Sequence, residues 1–164
     1  MRARDRLQPA LLDRLLDDEP QARSEPAEQR VLTRSRLREL VLRDLTWLFN
    51  TTQPGAAIDF DRAPDARRSV LNYGLPPLSG QTASTIDPTV LQQRIRQAII
   101  DFEPRILRPT LVVEPVLSGE LLDRHNQIGF RISGQLWAQP VPLELLLQTD
   151  IDLETGRVAV RELS

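Results

Sequence analysis

The large apolar residues of this chain recur with a helical period in three segments before Pro104 and with a period of two after Pro109. Leu7, Leu11, Leu12, Leu15 and Leu16 keep the i, i+4, i+8 spacing of an amphipathic helix with charges between them. Asp17-Asp18-Glu19-Pro20 ends it. Residues 17–29 are acidic, contain proline and almost lack large apolar groups, the composition of a flexible connection, so the first helix is predicted to be a tethered arm. A second helix is predicted from near Thr33 to Asn50, with Leu37, Leu40, Val41, Leu45 and Leu48 on one stripe and Arg30, Arg34 and Arg38 on another; Gln53-Pro54-Gly55 stops it. From Thr51 to Ile86, prolines and glycines punctuate a long loop with one helical turn around Asp65–Leu71, and loops longer than ~12–15 residues are often functional. Asp87-Pro88 supplies an N-cap and first-turn proline for a third helix whose apolar face is Leu91, Ile95, Ala98, Ile99 and Phe102. Pro104 closes it.

After Pro109 the pattern alternates. Leu111, Val113, Pro115 and Leu117 take one side of a strand; Ile128, Phe130 and Ile132 take one side of the next; Val141, Leu143, Leu145, Leu147, Thr149, Ile151 and Leu153 continue the rule. Asp123-Arg124-His125-Asn126 and Glu154-Thr155-Gly156-Arg157 carry turn chemistry, the latter returning into Val158 and Val160. Helices followed by strands predict an α+β fold, with helices on one face of a mainly antiparallel or mixed sheet. The predicted organisation is an arm and connection at 1–29 and an α+β domain at 30–164.

Composition narrows the chemistry. The 164 residues hold 21 arginines and no lysine, 23 acids, one histidine (His125), no cysteine and a net charge of −2. That removes thiolate nucleophiles and disulfides, and leaves a His-based metal site or Ser-His-Asp triad little to draw on, so no metal or cofactor is expected. His125, alone in a polar turn, is given no role. Aromatics are 4% of the chain and charge is balanced, which argues against nucleic acid and carbohydrate. Trp47, Phe102, Phe130 and Trp137 fall in patterns that read as core. No apolar run reaches the ~20 residues of a membrane span, and Met1–Pro9 lacks the apolar centre of a signal peptide, so the expectation is a soluble cytoplasmic protein without membrane insertion. Charge is uneven: residues 1–50 hold 10 Arg and 9 acids, 51–108 hold 7 and 6, and 109–164 hold 4 and 8.

Two motifs stand out. Glu103-Pro104-Arg105 sets an acid and a guanidinium on either side of a rigid bend at a helix C-terminus, where the helix dipole favours a cation and Arg105 can make bidentate contacts. A local ion pair fixing the turn and a partner contact are both compatible with it. Asn72-Tyr73-Gly74 holds the only tyrosine, suited to pinning a turn or to anchoring an interface. The Arg30, Arg34 and Arg38 stripe reads first as a solvated face, with an acidic protein partner as the alternative.

The order Ser69-Val70-Leu71-Asn72-Tyr73-Gly74-Leu75-Pro76, a Pro-Leu-Ser-Gly loop at Pro77–Gly80, a helix ending in Phe102-Glu103-Pro104-Arg105, and a strand region closing with Thr149 to Arg157 resembles the TssE family from about Arg30 onward. That family supplies the type VI secretion baseplate subunit and is similar to the lysozyme-like baseplate wedge protein of contractile phages. The resemblance implies a structural, non-enzymatic component that contacts wedge subunits of the TssF, TssG and TssK types and starts sheath polymerisation. The sheath subunits and the spike or hub are its further partners, at a baseplate docked on the cytoplasmic side of the inner membrane. It assigns partner contact to Glu103, Pro104 and Arg105, with Asn72, Tyr73 and Gly74 as further candidates. The arm at 1–19 falls outside the resemblance, leaving docking on a neighbour and packing on its own domain open. An unpaired edge strand in the sheet region offers strand exchange as a route to the sheath.

The rival reading is glycoside hydrolysis of peptidoglycan, for which Glu103 and Glu114 are the pair to nominate. Against it, Glu103 sits beside a proline and an arginine, a setting that suits a carboxylate and not a proton donor, and few aromatics remain to hold a sugar.

Overall fold

The Thr33 hydroxyl accepts from the Arg36 backbone N–H at 3.1 Å and starts a helix, as the apolar stripe predicts. In the computed structural model, which describes residues 10–15, 33–56, 58–79, 86–116, 126–138 and 140–163, three helices precede a sheet. They are α1 (Leu11–Leu15), α2 (Arg34–Phe49) and α3 (Pro88–Phe102). The Asp87 carboxylate accepts from Thr89 N–H at 2.8 Å and Pro88 opens α3, so both signals act at the predicted place. The fully antiparallel sheet runs β1 (Val112–Val116), β2 (Gln127–Leu136), β3 (Leu143–Asp152) and β4 (Val158–Glu162), paired in chain order. This is the expected α+β arrangement.

Register follows the pleat. Val113 opposes Ile132, Ile132 opposes Leu147, and Ile151 opposes Val158, all buried, while Glu114, Arg131 and Arg161 take the other face. The helices cover the apolar face, α3 against β1 and α2 against β4. Leu37, Val41, Leu45 and Leu48 of α2 meet Leu91, Ile95 and Ile99 of α3 above Phe130, Ile132, Leu145 and Leu147. Thr149 is the one polar residue in the inward row of β3, and its hydroxyl bonds the Phe130 carbonyl at 3.3 Å. The β3–β4 turn closes on Gly156, at φ +72°, with Asp152 accepting from the Glu154 and Thr155 amides.

Three expectations are corrected. Val141 is exposed, because β3 begins at Leu143. Trp47 and Trp137 are 47% and 51% exposed, not core. Trp47 lies at the flank of the α2 stripe under Arg43, and Trp137 follows the last residue of β2, where alternation no longer applies. The segment from Thr51 to Leu78 is also more ordered than a plain loop, with 3₁₀ turns at Pro54–Ala56, Pro64–Arg68 and Val70–Asn72 and a parallel bridge between Thr52 and Leu75. Arg38 reaches the Glu144 carbonyl at 3.0 Å and stands 3.7 Å from Glu162, so this member of the arginine stripe ties α2 to the sheet. Leu7, Leu16, residues 17–29, Arg30, Gly80, Leu117 and the Asp123–His125 turn lie outside the described residues.

Candidate functional site

The end of α3 brings Glu103 and Arg105 together. Glu103 N–H still bonds the Ile99 carbonyl at 2.8 Å; Pro104 then turns the chain, and Arg105 doubles back on the Glu103 side chain. Arg105 Nε meets Glu103 Oε1 at 2.7 Å and Nη2 meets Oε2 at 2.5 Å, a bidentate pair, while Arg105 N–H also donates to Oε1 at 3.1 Å. Glu103 is only 4% exposed. The same Nη2 reaches Asp44 Oδ2 of α2 at 2.5 Å. Asp44 Oδ1 in turn receives Arg43 Nε at 2.9 Å, and Arg43 Nη2 bonds Asp13 of α1 at 2.7 Å. Charges therefore alternate along Glu103, Arg105, Asp44, Arg43 and Asp13.

Burial alone would lower the Arg105 pKa, but hydrogen bonds and charge from Glu103, then from Asp44, outweigh it and raise the guanidinium above its ordinary value. Arg43 is raised likewise: burial opposes, and bonds to Asp13 and Asp44 win. Neither cation has a neutral form to offer near physiological pH. The arrangement holds planar donors in fixed positions.

Beside this network lies an open groove of about 480 Å³, walled by Ala10 and Leu12 at α1, by α2, by the Glu-Pro-Arg turn and by the end of β2. Trp47 and Trp137 both line it, and Arg43 stacks over Trp47 at 4.7 Å. The Arg105 carbonyl accepts from Trp137 N–H at 2.7 Å, which stitches the turn to β2. Tyr73 lines the groove as well, edge-on to Phe102 at 5.1 Å, with its hydroxyl 3.4 Å from the Asp44 carbonyl. Of the candidates named from sequence, Glu103, Pro104, Arg105 and Tyr73 thus share one site. Asn72 and Gly74 are buried and do not line it. Asn72 Nδ2 bonds the Arg67 carbonyl at 2.9 Å. Gly74 has φ +118°, and a Cβ there would stand 2.2 Å from the Thr51 carbonyl oxygen.

Sequence reasoning missed Arg43, Asp44 and both tryptophans as site residues. Arg43 and Trp47 are one helical turn apart, a spacing that signals a cation–π pair, whereas the approach of Asp44 to Arg105 across 61 positions carries no local signal.

A family model described as baseplate wedge protein gp25 matches residues 35–141, well over half of the chain. The chain belongs to the baseplate wedge protein gp25 family. No curated protein and no solved structure matches it. The gp25 match spans α2 from its second residue, the Thr51–Leu78 segment, α3, the Glu-Pro-Arg turn, β1 and β2, so it contains every groove and network residue named above except Ala10 and Leu12 of the groove and Asp13 of the network. TssE belongs to this family, and the resemblance seen in the sequence holds at that level. The protein is accordingly a component of a phage-tail-like baseplate, and interaction with other baseplate proteins is implied by the family.

The carboxylates nominated for hydrolysis are not brought together in this gp25-family chain. Glu103 lines the groove and is held by Arg105; Glu114 is exposed on the face of β1 opposite buried Val113 and does not line the groove. Among the described residues no group of three or more His, Asp or Glu could hold a metal ion, and no helix is long and apolar enough to cross a membrane.

Proposed function

We propose that the protein is the gp25-type baseplate subunit of a type VI secretion apparatus, with no catalytic role, and that its groove at the Glu-Pro-Arg turn receives wedge subunits of the TssF, TssG and TssK types. The observation that carries the reading is the Glu103–Arg105–Asp44 network, which fixes Arg105 and the turn at Pro104 beside a groove whose lining includes two exposed tryptophans. Exposed tryptophan beside a fixed arginine is the composition of an interface centre. Glu103 acts as the brace, Arg105, Pro104 and Tyr73 as the contact surface, and Asn72 and Gly74 as the turn that delivers Tyr73. The functional unit is the body from residue 30 onward, working in the cytoplasm at an inner-membrane-docked baseplate, with the sheath and the spike or hub as further neighbours.

For sheath initiation, the two sheet edges favour one strand over the other. Gln92 Nε2 bonds the Val113 carbonyl at 2.6 Å, so Val113 and, by alternation, Pro115 turn away from β2, and Pro115 has no N–H to offer. The β1 edge is blunted. On β4, Leu163 N–H bonds the Leu146 carbonyl, so by alternation the backbone groups of Val160 and Glu162 turn away from β3, which favours β4 as the edge for a sheath strand.

Affinity purification of the tagged full-length protein from its host tests the reading. Pro104→Ala and Trp137→Ala, at exposed positions, are expected to retain the fold by circular dichroism and to lose the wedge subunits. Glu103→Ala and Arg105→Ala are poorer probes: Arg105→Ala strands the buried Glu103 carboxylate, Glu103→Ala removes the bidentate partner that orients Arg105, and both are expected to lower the unfolding midpoint. Retention of wedge subunits by both exposed variants, or peptidoglycan release by the purified protein that disappears in Glu103→Gln, overturns the proposal.

A further inference from the structure

The groove beside the Glu-Pro-Arg turn is lined by one cation, Arg105, and two acids, Asp44 and Glu103; its other lining side chains are uncharged. A guanidinium carries five N–H donors. On Arg105, Nε and one N–H of Nη2 go to the two oxygens of Glu103, and the second N–H of Nη2 goes to Asp44 Oδ2. Nη1 is left, without a hydrogen bond among the described residues and not buried. Gripping a partner carboxylate through two parallel N–H groups needs either the Nε–Nη2 side or the Nη1–Nη2 end of the fork. Nη2 has no donor to spare for either. The arginine that marks the site is therefore already spent within its own chain.

We infer that the groove takes a neutral, apolar segment of the wedge subunit: an uncharged side chain packs on the aromatic lining, a main-chain carbonyl accepts from Arg105 Nη1, and no ion pair crosses the contact. This rests on the groove being the wedge site and names what it selects there.

Charge balance points the same way. Within the ion network Glu103, Asp44 and Asp13 stand against Arg105 and Arg43, three acids to two cations, so no positive charge is in surplus. A carboxylate entering the groove would lose water and meet Asp44 and Glu103, with no free cation to offset either effect. A basic side chain fares no better. Glu103 is 4% exposed with both oxygens bonded to Arg105, and both oxygens of Asp44 accept from arginines. What the groove offers instead is ring and aliphatic surface, from the exposed Trp47 and Trp137 together with Tyr73, Phe102 and Pro104. Burying such surface drives association whatever the sign of nearby charge.

Two measurements test this. In the wild-type full-length protein, the only two tryptophans both line the groove and read its charge through quenchers of opposite sign at constant ionic strength. The ratio of iodide to caesium quenching is expected within about twofold of that for N-acetyltryptophanamide, since a cleft of one sign would concentrate the opposite ion. A ratio raised severalfold reveals a surplus cation fit for an acidic partner, one lowered severalfold a site for a basic partner, and either overturns the inference. Trp137, exposed just after β2, then takes a series of substitutions, each checked by circular dichroism and titrated with a purified complex of TssF- and TssG-type wedge subunits. Trp137→Phe is expected to bind within about threefold of wild type and Trp137→Ala about tenfold more weakly. Trp137→Arg and Trp137→Glu are expected to weaken binding at least as much as Trp137→Ala and by similar factors, because a charge of either sign is then buried against an apolar partner. Trp137→Arg binding about tenfold more tightly than Trp137→Glu exposes an acid on the partner, and the reverse order a base; each overturns the inference while leaving the groove as the wedge site. Binding indifferent to the whole series and to Pro104→Ala removes the groove as the wedge site, and the inference with it. Should a charged variant fail to fold, the quencher ratio of the wild-type protein still decides.

Discussion

Tyr73 connects the second motif to the first, and its phenol reports the charge around it. Burial raises its pKa, and the nearby carboxylates of Asp44 and Glu103 raise it further. A folded-state value above the ordinary one of about 10 means that the native protein holds the phenolic proton more tightly than the unfolded chain does. The contribution to stability is complete below about pH 10 and is lost as pH climbs through the raised folded-state value. Since this is the only tyrosine, tyrosinate absorbance at 295 nm reads it directly. We expect a midpoint above that of free tyrosine, and Asp44→Asn should move it back toward the ordinary value; a midpoint unchanged by Asp44→Asn excludes Asp44 as a source of the shift. The same residues show what was legible at this scale. Glu103 and Arg105 declare themselves as a pair by sitting two positions apart around a proline, and the local ion pair weighed against a partner contact is present in full. That Gly74 is required by the Thr51 carbonyl, and not by an exposed turn, depends on a crossing of chain segments that no short window contains.

At the scale of elements, the helices and the period-two strands were readable because each buries one face, and a repeated pattern survives any local substitution. α2 and α3 begin and end within a residue or two of their predicted caps. What was not readable is how the sheet ends, since an edge is defined by what fails to pair. Asn50, the C-cap residue of α2, donates from Nδ2 to the Val158 carbonyl at 2.8 Å and accepts the Val158 N–H on Oδ1 at 3.0 Å. Its amide stands in for one residue of a neighbouring strand and seals that end of β4, a common kind of protection for an exposed edge. Asn50→Ala should lower stability by about 1–2 kcal/mol, the worth of one or two hydrogen bonds, in a urea titration. It should also make the Val158 amide exchange rapidly while those on the β3-facing side of β4 stay slow. If β4 is where a sheath strand adds, the same variant lengthens the available edge by one residue, and sheath protein should then protect Val158 together with Val160 and Glu162. Protection confined to β1 would assign the exchange to the other edge.

For the molecule as a whole, one apolar cluster joins α2, α3 and all four strands. The near-zero net charge hides an acidic last third, and all four strands lie within it: among the described residues, the outward face of the sheet carries Glu114, Glu144 and Asp150 against Arg131 and Arg161. The two halves of the chain are thus distinct in charge but share their core, so they should unfold together. Leu147 tests this, being fully buried at the middle of β3 and opposite Ile132. Leu147→Ala removes about three methylene-sized groups from the common core and should cost about 2–5 kcal/mol. Trp47 reports from α2 and Trp137 from the end of β2, so tryptophan emission and far-ultraviolet circular dichroism should shift to a lower urea midpoint by the same amount, with an unchanged slope. Two separated transitions in the variant would show instead that the helical layer and the sheet are independent cooperative units. The Glu-Pro-Arg turn, which joins them, would then be a hinge and not the brace that fixes Arg105 at the groove.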